Sequence, residues 1–199
     1  MRYILLCCCL VILSCSPKLT PSPSLKEGLT RDQKSLIMTG SEDQPLRVFK
    51  IDNLSDSLLL REKSQPVSVP ASTEMRHFIS RLYATVRDSI SMGVGIAAPQ
   101  VGILKQVIWV QRFDKEGFPF EVYLNPTIKQ YSTKKQDCTE GCLSIPDRSD
   151  TTKSRSYAIL LEYDIIDGSH HNEMVEDFTA VIFQHEIDHL LGKLYIDLL

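Results

Sequence analysis

Gln184-His185-Glu186-Ile187-Asp188-His189-Leu190 decides how the rest of the chain is read. On a helix, residues four apart lie on one face, one turn above the other, so His185 and His189 can reach a single metal ion. Glu186, beside the first histidine, is placed to handle the proton of a metal-bound water. The competing reading is a solvated helix that happens to be rich in His and Glu. With five histidines in 199 residues, chance produces H-E-x-x-H in about one such chain in a hundred. The pair supplies two ligands, so a third must come from elsewhere.

Working outward, the final helix is expected to start near Glu176, with acidic neighbours suited to a helix N-terminus. Phe178, Val181, Ile182, His185 and His189 then share an inward face. Upstream, Tyr157–Ile166 reads as a strand turned at Asp167-Gly168, with His170–Val175 returning antiparallel. Val107-Ile108-Trp109-Val110 is a β-branched and aromatic strand. It forms a hairpin with Phe120–Leu124, which ends at Asn125-Pro126. Met75, Phe78, Ile79, Leu82, Val86 and Ile90 recur at helical spacing, with Ser72 or Thr73 as N-cap and an end near Met92-Gly93. His77 in that helix is read as structural. The stretch from Asp52 to Pro70 is expected to be a loop-rich entry. Antiparallel β-sheets packed around a buried C-terminal helix make an α+β fold.

The N-terminus is separate. Tyr3 to Leu13 is an unbroken apolar run of eleven residues after Met1-Arg2, closed by Ser14-Cys15-Ser16-Pro17. That is too short to span a bilayer as a helix but fits a secretory signal. Ile12-Leu13-Ser14-Cys15 resembles the lipobox of bacterial lipoproteins. Residues 1–14 are therefore expected to be a signal peptide, 15–45 a flexible Pro- and Ser-rich tether from a lipidated Cys15, and 46–199 the globular domain. Ser35–Met38 has the makings of a helical turn. The expected location is the bacterial cell envelope, or the cytoplasm if the N-terminal segment stays unprocessed. An ordinary signal peptide and a short buried segment are the alternatives.

A formal charge of −3 with no basic stripe gives no electrostatic reason to bind nucleic acid. Beyond Cys15 only Cys138 and Cys142 follow the leader, and a disulfide between them competes with metal binding. Glu140-Gly141-Cys142-Leu143-Ser144 favours the metal, because a thiolate there completes a Cys-His-His set with a fourth position open. A nucleophilic Cys142 paired with a histidine is the weaker alternative. Gly93-Val94-Gly95-Ile96-Ala97-Ala98-Pro99-Gln100 lacks the preceding strand, third glycine and following helix of a dinucleotide fingerprint. Its glycines instead allow an extended ligand to approach the backbone.

In this order, G-x-G-x-A-A-P-Q, E-G-C-L-S and Q-H-E-x-D-H-L resemble the peptide deformylase family, and the likeness runs from about Leu46 to Leu199. The resemblance implies that Cys142, His185 and His189 bind the metal and that Glu186 is general base and acid. It assigns Gln100 and the Leu143 backbone N–H to the oxyanion, and Gly95 to the substrate backbone. It implies Fe2+ as cofactor, with Zn2+, nickel or cobalt able to replace it, and an N-formylated peptide as substrate that is cleaved to formate and a free amino terminus. Where the family carries an arginine downstream of the metal cysteine, this chain has the very polar Asp147–Ser156, and Arg155 reaches the place with a one-residue shift. Pairing of Arg155 with Glu140 or Asp188 is expected. An exported enzyme would meet formylated peptides that have crossed the membrane, or another small acyl-amide, and oxidation there favours zinc over ferrous iron. A general metalloprotease leaves Cys142 without a role. A catalytically silent metal-binding lipoprotein needs neither Glu186 nor Gln100.

Overall fold

A computed structural model describes residues 29–88 and 92–199. The signal peptide expected over 1–14, the lipidated Cys15, the first part of the tether and Ile90 lie outside the described residues. Helix α1 spans Arg31–Met38, α2 Leu54–Leu60 and α3 Thr73–Arg87. Strands β1 (Gly95–Ala97), β2 (Val107–Gln111) and β3 (Phe120–Tyr131) follow. Next come β4 (Lys135–Cys142), β5 (Ile145–Ser156), β6 (Ala158–Asp164) and β7 (His170–Glu176). Helix α4 (Asp177–Leu190) and a 3-10 turn at Tyr195–Leu198 close the chain.

The larger sheet has the order β1-β2-β3-β6-β7, antiparallel throughout, and β4 and β5 form a separate hairpin. Successive side chains of a strand point to opposite faces, and β2 uses both. Val107 packs with Phe78, Leu82 and Leu124 on the α3 side. Ile108 and Val110 pack with Tyr123, Phe183 and Ile187 on the α4 side. Burial on both faces explains why β2 reads as a continuous apolar run. Ten of the fourteen residues of α4 are buried, so this helix lies inside the protein. Phe178 departs from its expected inward face: it is 41% exposed, in the first turn of the helix.

Four other expectations change. First, residues 29–45 do not all form a tether, because α1 docks through the fully buried Ile37. Arg81, itself buried, donates to the carbonyls of Leu36, Ile37, Thr39 and Gln44, satisfying groups that follow or end α1. Second, α3 is capped by the Ser72 side chain on the Met75 N–H, as expected, but its last residue is Arg87, with Asp88 leaving helical backbone. Third, β3 does not end at Asn125-Pro126. It shifts register between Leu124 and Thr127, as a bulge that accommodates a proline lacking an N–H. Asn125 takes a positive φ of 50° and its side chain bonds the Val67 N–H (2.7 Å), the Val67 carbonyl (3.0 Å) and Asp164 (2.8 Å). Fourth, the entry segment contains α2, N-capped by the Asn53 side chain.

The polar stretch Asp147–Ser156 belongs to β5 and is not a loop. Its inward-facing partners are polar, with Thr152 and Arg155 buried against Glu140. His77 bonds the Gly40 carbonyl at 3.0 Å, a structural contact.

Candidate metal centre

Three segments meet where the β4–β5 hairpin crosses α4. Gln184 sets the alignment: its side-chain oxygen accepts from the Ser156 N–H and its amide donates to the Ser156 carbonyl, both at 2.9 Å. This pins the helix to the end of β5 and brings the next residue, His185, beside β4. Cys142 is the last residue of β4, and the turn through Leu143-Ser144 leads into β5. One potential ligand atom from each of Cys142, His185 and His189 lies within 4.8 Å of the others. Cys142 Sγ is 3.2 Å from His189 Nε2, and the two imidazoles meet edge to face at 5.1 Å.

Cys138 and Cys142 are free thiols. Four residues apart on one strand they are separated by roughly 13 Å, beyond the reach of about 7 Å that a disulfide spans. The competing disulfide is thereby excluded.

The donor set fits a divalent cation of the iron and zinc class, two imidazole nitrogens and one thiolate sulfur leaving a position open. Glu140 accepts from His185 Nδ1 at 2.8 Å, which leaves Nε2 of that ring with its lone pair available. Arg155 holds Glu140 with two bonds of 2.8 Å and Asp188 with one of 2.6 Å, so it pairs with both expected partners. Thr152 adds a further donor to Glu140. Tyr195 stacks on His185 at 6.0 Å and is held by the Arg148 carbonyl and Asp150.

Electrostatics follow from this packing. Burial pushes the Glu140 carboxyl up, but its bonds from His185 and Arg155 outweigh that and hold it at about 2. Burial disfavours charge on His185, yet its contacts with Cys142 and Glu140 raise it to about 10. Burial, then the charges of His185 and Arg155, keep His189 well below the ordinary imidazole range. Burial, reinforced by Glu140, pushes Glu186 up to about 7 against the opposing charges of His185 and Arg155. Glu186 Oε2 is buried with no hydrogen-bond partner among the described residues.

Gln100 sits in a 3-10 turn after β1, its side-chain oxygen fixed by the Ala97 N–H at 2.8 Å. That fixes the amide orientation and aims its NH2 at Cys142 Sγ (3.6 Å) and Ser144 Oγ (3.3 Å). Gly95 lies against Glu186: a Cβ there would be 2.4 Å from Oε1 and 2.9 Å from Ile182. Only glycine permits that approach. A cleft of about 570 Å³ joins these groups, lined by Gly95, Gln100, Cys142, Leu143, His185 and Glu186 among others. Gly95, Gln100, Cys142, Leu143, His185, Glu186 and His189 therefore meet at one place. Ser144, Thr152, Tyr195 and Phe178 were not assigned to the site from sequence; only Ser144, inside E-G-C-L-S, carried a local signal.

Residues 48–199 match the polypeptide deformylase family. The chain is 34% identical over 179 residues to peptide deformylase 1 of Bifidobacterium longum (strain NCC 2705), covering 85% of this chain and 79% of that protein. It is 38% identical over 154 residues to a peptide deformylase of Desulforudis audaxviator (strain MP104C), covering 76% and 94%. The fold is similar to the Met-Ala-Ser-bound class I type b peptide deformylase from Acinetobacter baumannii, with a TM-score of 0.69 and 31% identity over 79% of this chain and 99% of that one. A peptide deformylase from Synechococcus elongatus in complex with actinonin gives a TM-score of 0.67 at 31% identity, covering 78% and 79%. With three motifs converging on one cleft and a match through the last residue, the chain belongs to the polypeptide deformylase family.

Proposed function

We propose that this protein removes the N-formyl group from peptides that begin with formylmethionine, releasing formate and a free amino terminus. The observation that carries the reading is the convergence of Cys142, His185 and His189 on one point, with Glu186 and the Gln100 amide facing the same cleft. Cys142, His185 and His189 hold a divalent cation, Fe2+ by family resemblance or Zn2+ in an oxidising compartment. When bound, that cation supplies Lewis acidity, acidifying water and polarising the acyl oxygen.

The chain's own groups do the rest. Glu186, whose burial pushes its carboxyl above the ordinary carboxylate range, takes a proton from the attacking water and delivers it to the departing amine. The Gln100 NH2 and the Leu143 backbone N–H donate to the oxygen on which negative charge develops. The β1 edge at Gly95 is the outer edge of the larger sheet, and an extended peptide pairs there with its backbone. Glu140, held by Arg155, keeps His185 in the required tautomer. Glu186→Ala tests the role of the base: bound metal is retained by elemental analysis while turnover falls at least a hundredfold. Near-normal turnover would contradict it.

We also propose that Cys15 carries a lipid that anchors the chain at the cell envelope, on the strength of the Tyr3–Leu13 run and Ser14-Cys15. Its substrates are then formylated peptides outside the cytoplasm. Cys15→Ser is expected to move the chain from the membrane to the soluble fraction, and unchanged membrane recovery would count against the anchor.

A further inference from the structure

Lys105 lies in the segment that leads from the Gln100 turn into β2, and it is only 5% exposed. An ammonium group has three protons to donate, yet that of Lys105 makes one bond, to the Pro66 carbonyl at 3.3 Å. No carboxylate among the described residues pairs with it. The other buried cations are compensated: Arg112 by Asp114 and Glu173, Arg155 by Glu140 and Asp188, and Arg81 by four carbonyls. Burying a charge without a counter-charge is unfavourable, and burial pulls the Lys105 ammonium below the ordinary lysine range.

A cavity of about 240 Å³ opens beside this side chain. Val67, Val69 and Met75 form its apolar wall, and Lys34, Glu74 and Lys105 are its charged groups. Lys34 and Glu74 bond each other at 2.8 Å and so neutralise one another. Lys105 therefore leaves the cavity with one uncompensated positive charge. The first turn of α3 lines the same space through Ser72, Glu74 and Met75, and adds the positive end of a fifteen-residue helix. The wall is held firmly. Asn125 bonds both backbone groups of Val67, and Gln65 bonds the backbone of Leu104 and of Gln106, on either side of Lys105, at 2.9 Å each. A cavity fixed in this way orders little on binding. None of the residues lining it lines the cleft of the metal centre.

We propose that this cavity binds a monocarboxylate with a short alkyl chain, its carboxylate on the Lys105 ammonium and its chain against Val67, Val69 and Met75. A single negative charge matches the single positive charge left over. A doubly charged anion such as phosphate meets the Glu74 carboxylate as well, and it leaves the apolar wall facing a hydrated ion. A cation or a neutral ligand leaves Lys105 unpaired. The site goes beyond the deformylase reading and uses none of its residues.

Calorimetric titration of the zinc-loaded full chain in detergent with sodium butyrate, n-butylammonium chloride and inorganic phosphate tests the assignment without needing turnover. Butyrate is expected to bind at least tenfold more tightly than phosphate, and n-butylammonium, with the same chain and the opposite charge, not to bind. Lys105→Met removes the charged hydrogen bond and is expected to weaken butyrate about 10- to 100-fold. Val69→Trp changes a residue that is 60% exposed and fills the cavity while leaving Lys105 in place, so it covers the case in which Lys105→Met does not fold. It too is expected to weaken butyrate at least tenfold. No binding of butyrate, phosphate or n-butylammonium binding as tightly, or butyrate affinity unchanged in Val69→Trp overturns the proposal. Since formate release is not read, failure of the deformylase reading leaves this result untouched.

Discussion

Glu140 Oε2 accepts a 2.8 Å hydrogen bond from His185 Nδ1, and it does so from a strand two residues before the third metal ligand. The same carboxylate that orients the imidazole is itself fixed by Arg155 and Thr152. Glu140→Gln keeps the shape but removes the charge. Metal affinity, read by competition with a chromophoric chelator, is expected to fall about 10- to 100-fold. Unchanged affinity would show that Glu140 does not govern the ligand set.

Stability in acid should report on the same carboxylate. Its pKa is about 2 in the folded chain against an ordinary 4.5. A lowered folded pKa contributes stability that is complete above the unfolded value and is lost as pH falls through the folded one. Denaturant midpoints are therefore expected to decline between about pH 4.5 and pH 2, and the decline should be shallower in Glu140→Gln. Identical slopes in the two proteins would contradict this.

Gln100→Glu preserves an acceptor for the Ala97 N–H but replaces the amide donor. Turnover is expected to fall by about 10²–10³ with little change in KM, the signature of an interaction formed as charge develops on the acyl oxygen. An effect confined to KM would place Gln100 in ground-state binding instead.

Gly95→Ala puts a methyl group 2.4 Å from Glu186 Oε1. Relief requires moving either the strand or the base, and overpacking of this kind costs about 1–3 kcal/mol. Both the unfolding midpoint and turnover should drop. A fully active, equally stable variant would mean that the close approach is not needed.

The reach of the sequence was uneven for physical reasons. Helix α4 was legible because His185, Glu186 and His189 sit at a metal-binding spacing within a strongly apolar stretch. Strand β2 was legible because both its faces are buried. The β4–β5 hairpin was not, since the residues it turns inward are Glu140, Thr152 and Arg155, whose polarity hides any alternation. Helix α1 was legible only as a turn over Ser35–Met38, because its docking depends on Arg81, some forty residues away, donating to carbonyls that carry no side-chain signature. Phe178 fits an inward helical position by spacing, yet it lies in the first turn of α4, after the positive-φ Asp177, and is 41% exposed. The three motifs of the centre were readable locally. Their alignment was not, because it depends on Gln184 gripping the backbone of Ser156.

The central claim is that these residues deformylate peptides with a bound metal ion. It is tested most directly by incubating the metal-loaded full chain with formyl-Met-Ala-Ser and measuring formate and newly free amino termini together. The account expects the two to appear in equal amounts, to cease when a chelator strips the metal and to return when metal is restored. No formate from the loaded chain, or cleavage of the Met-Ala bond instead, would contradict it.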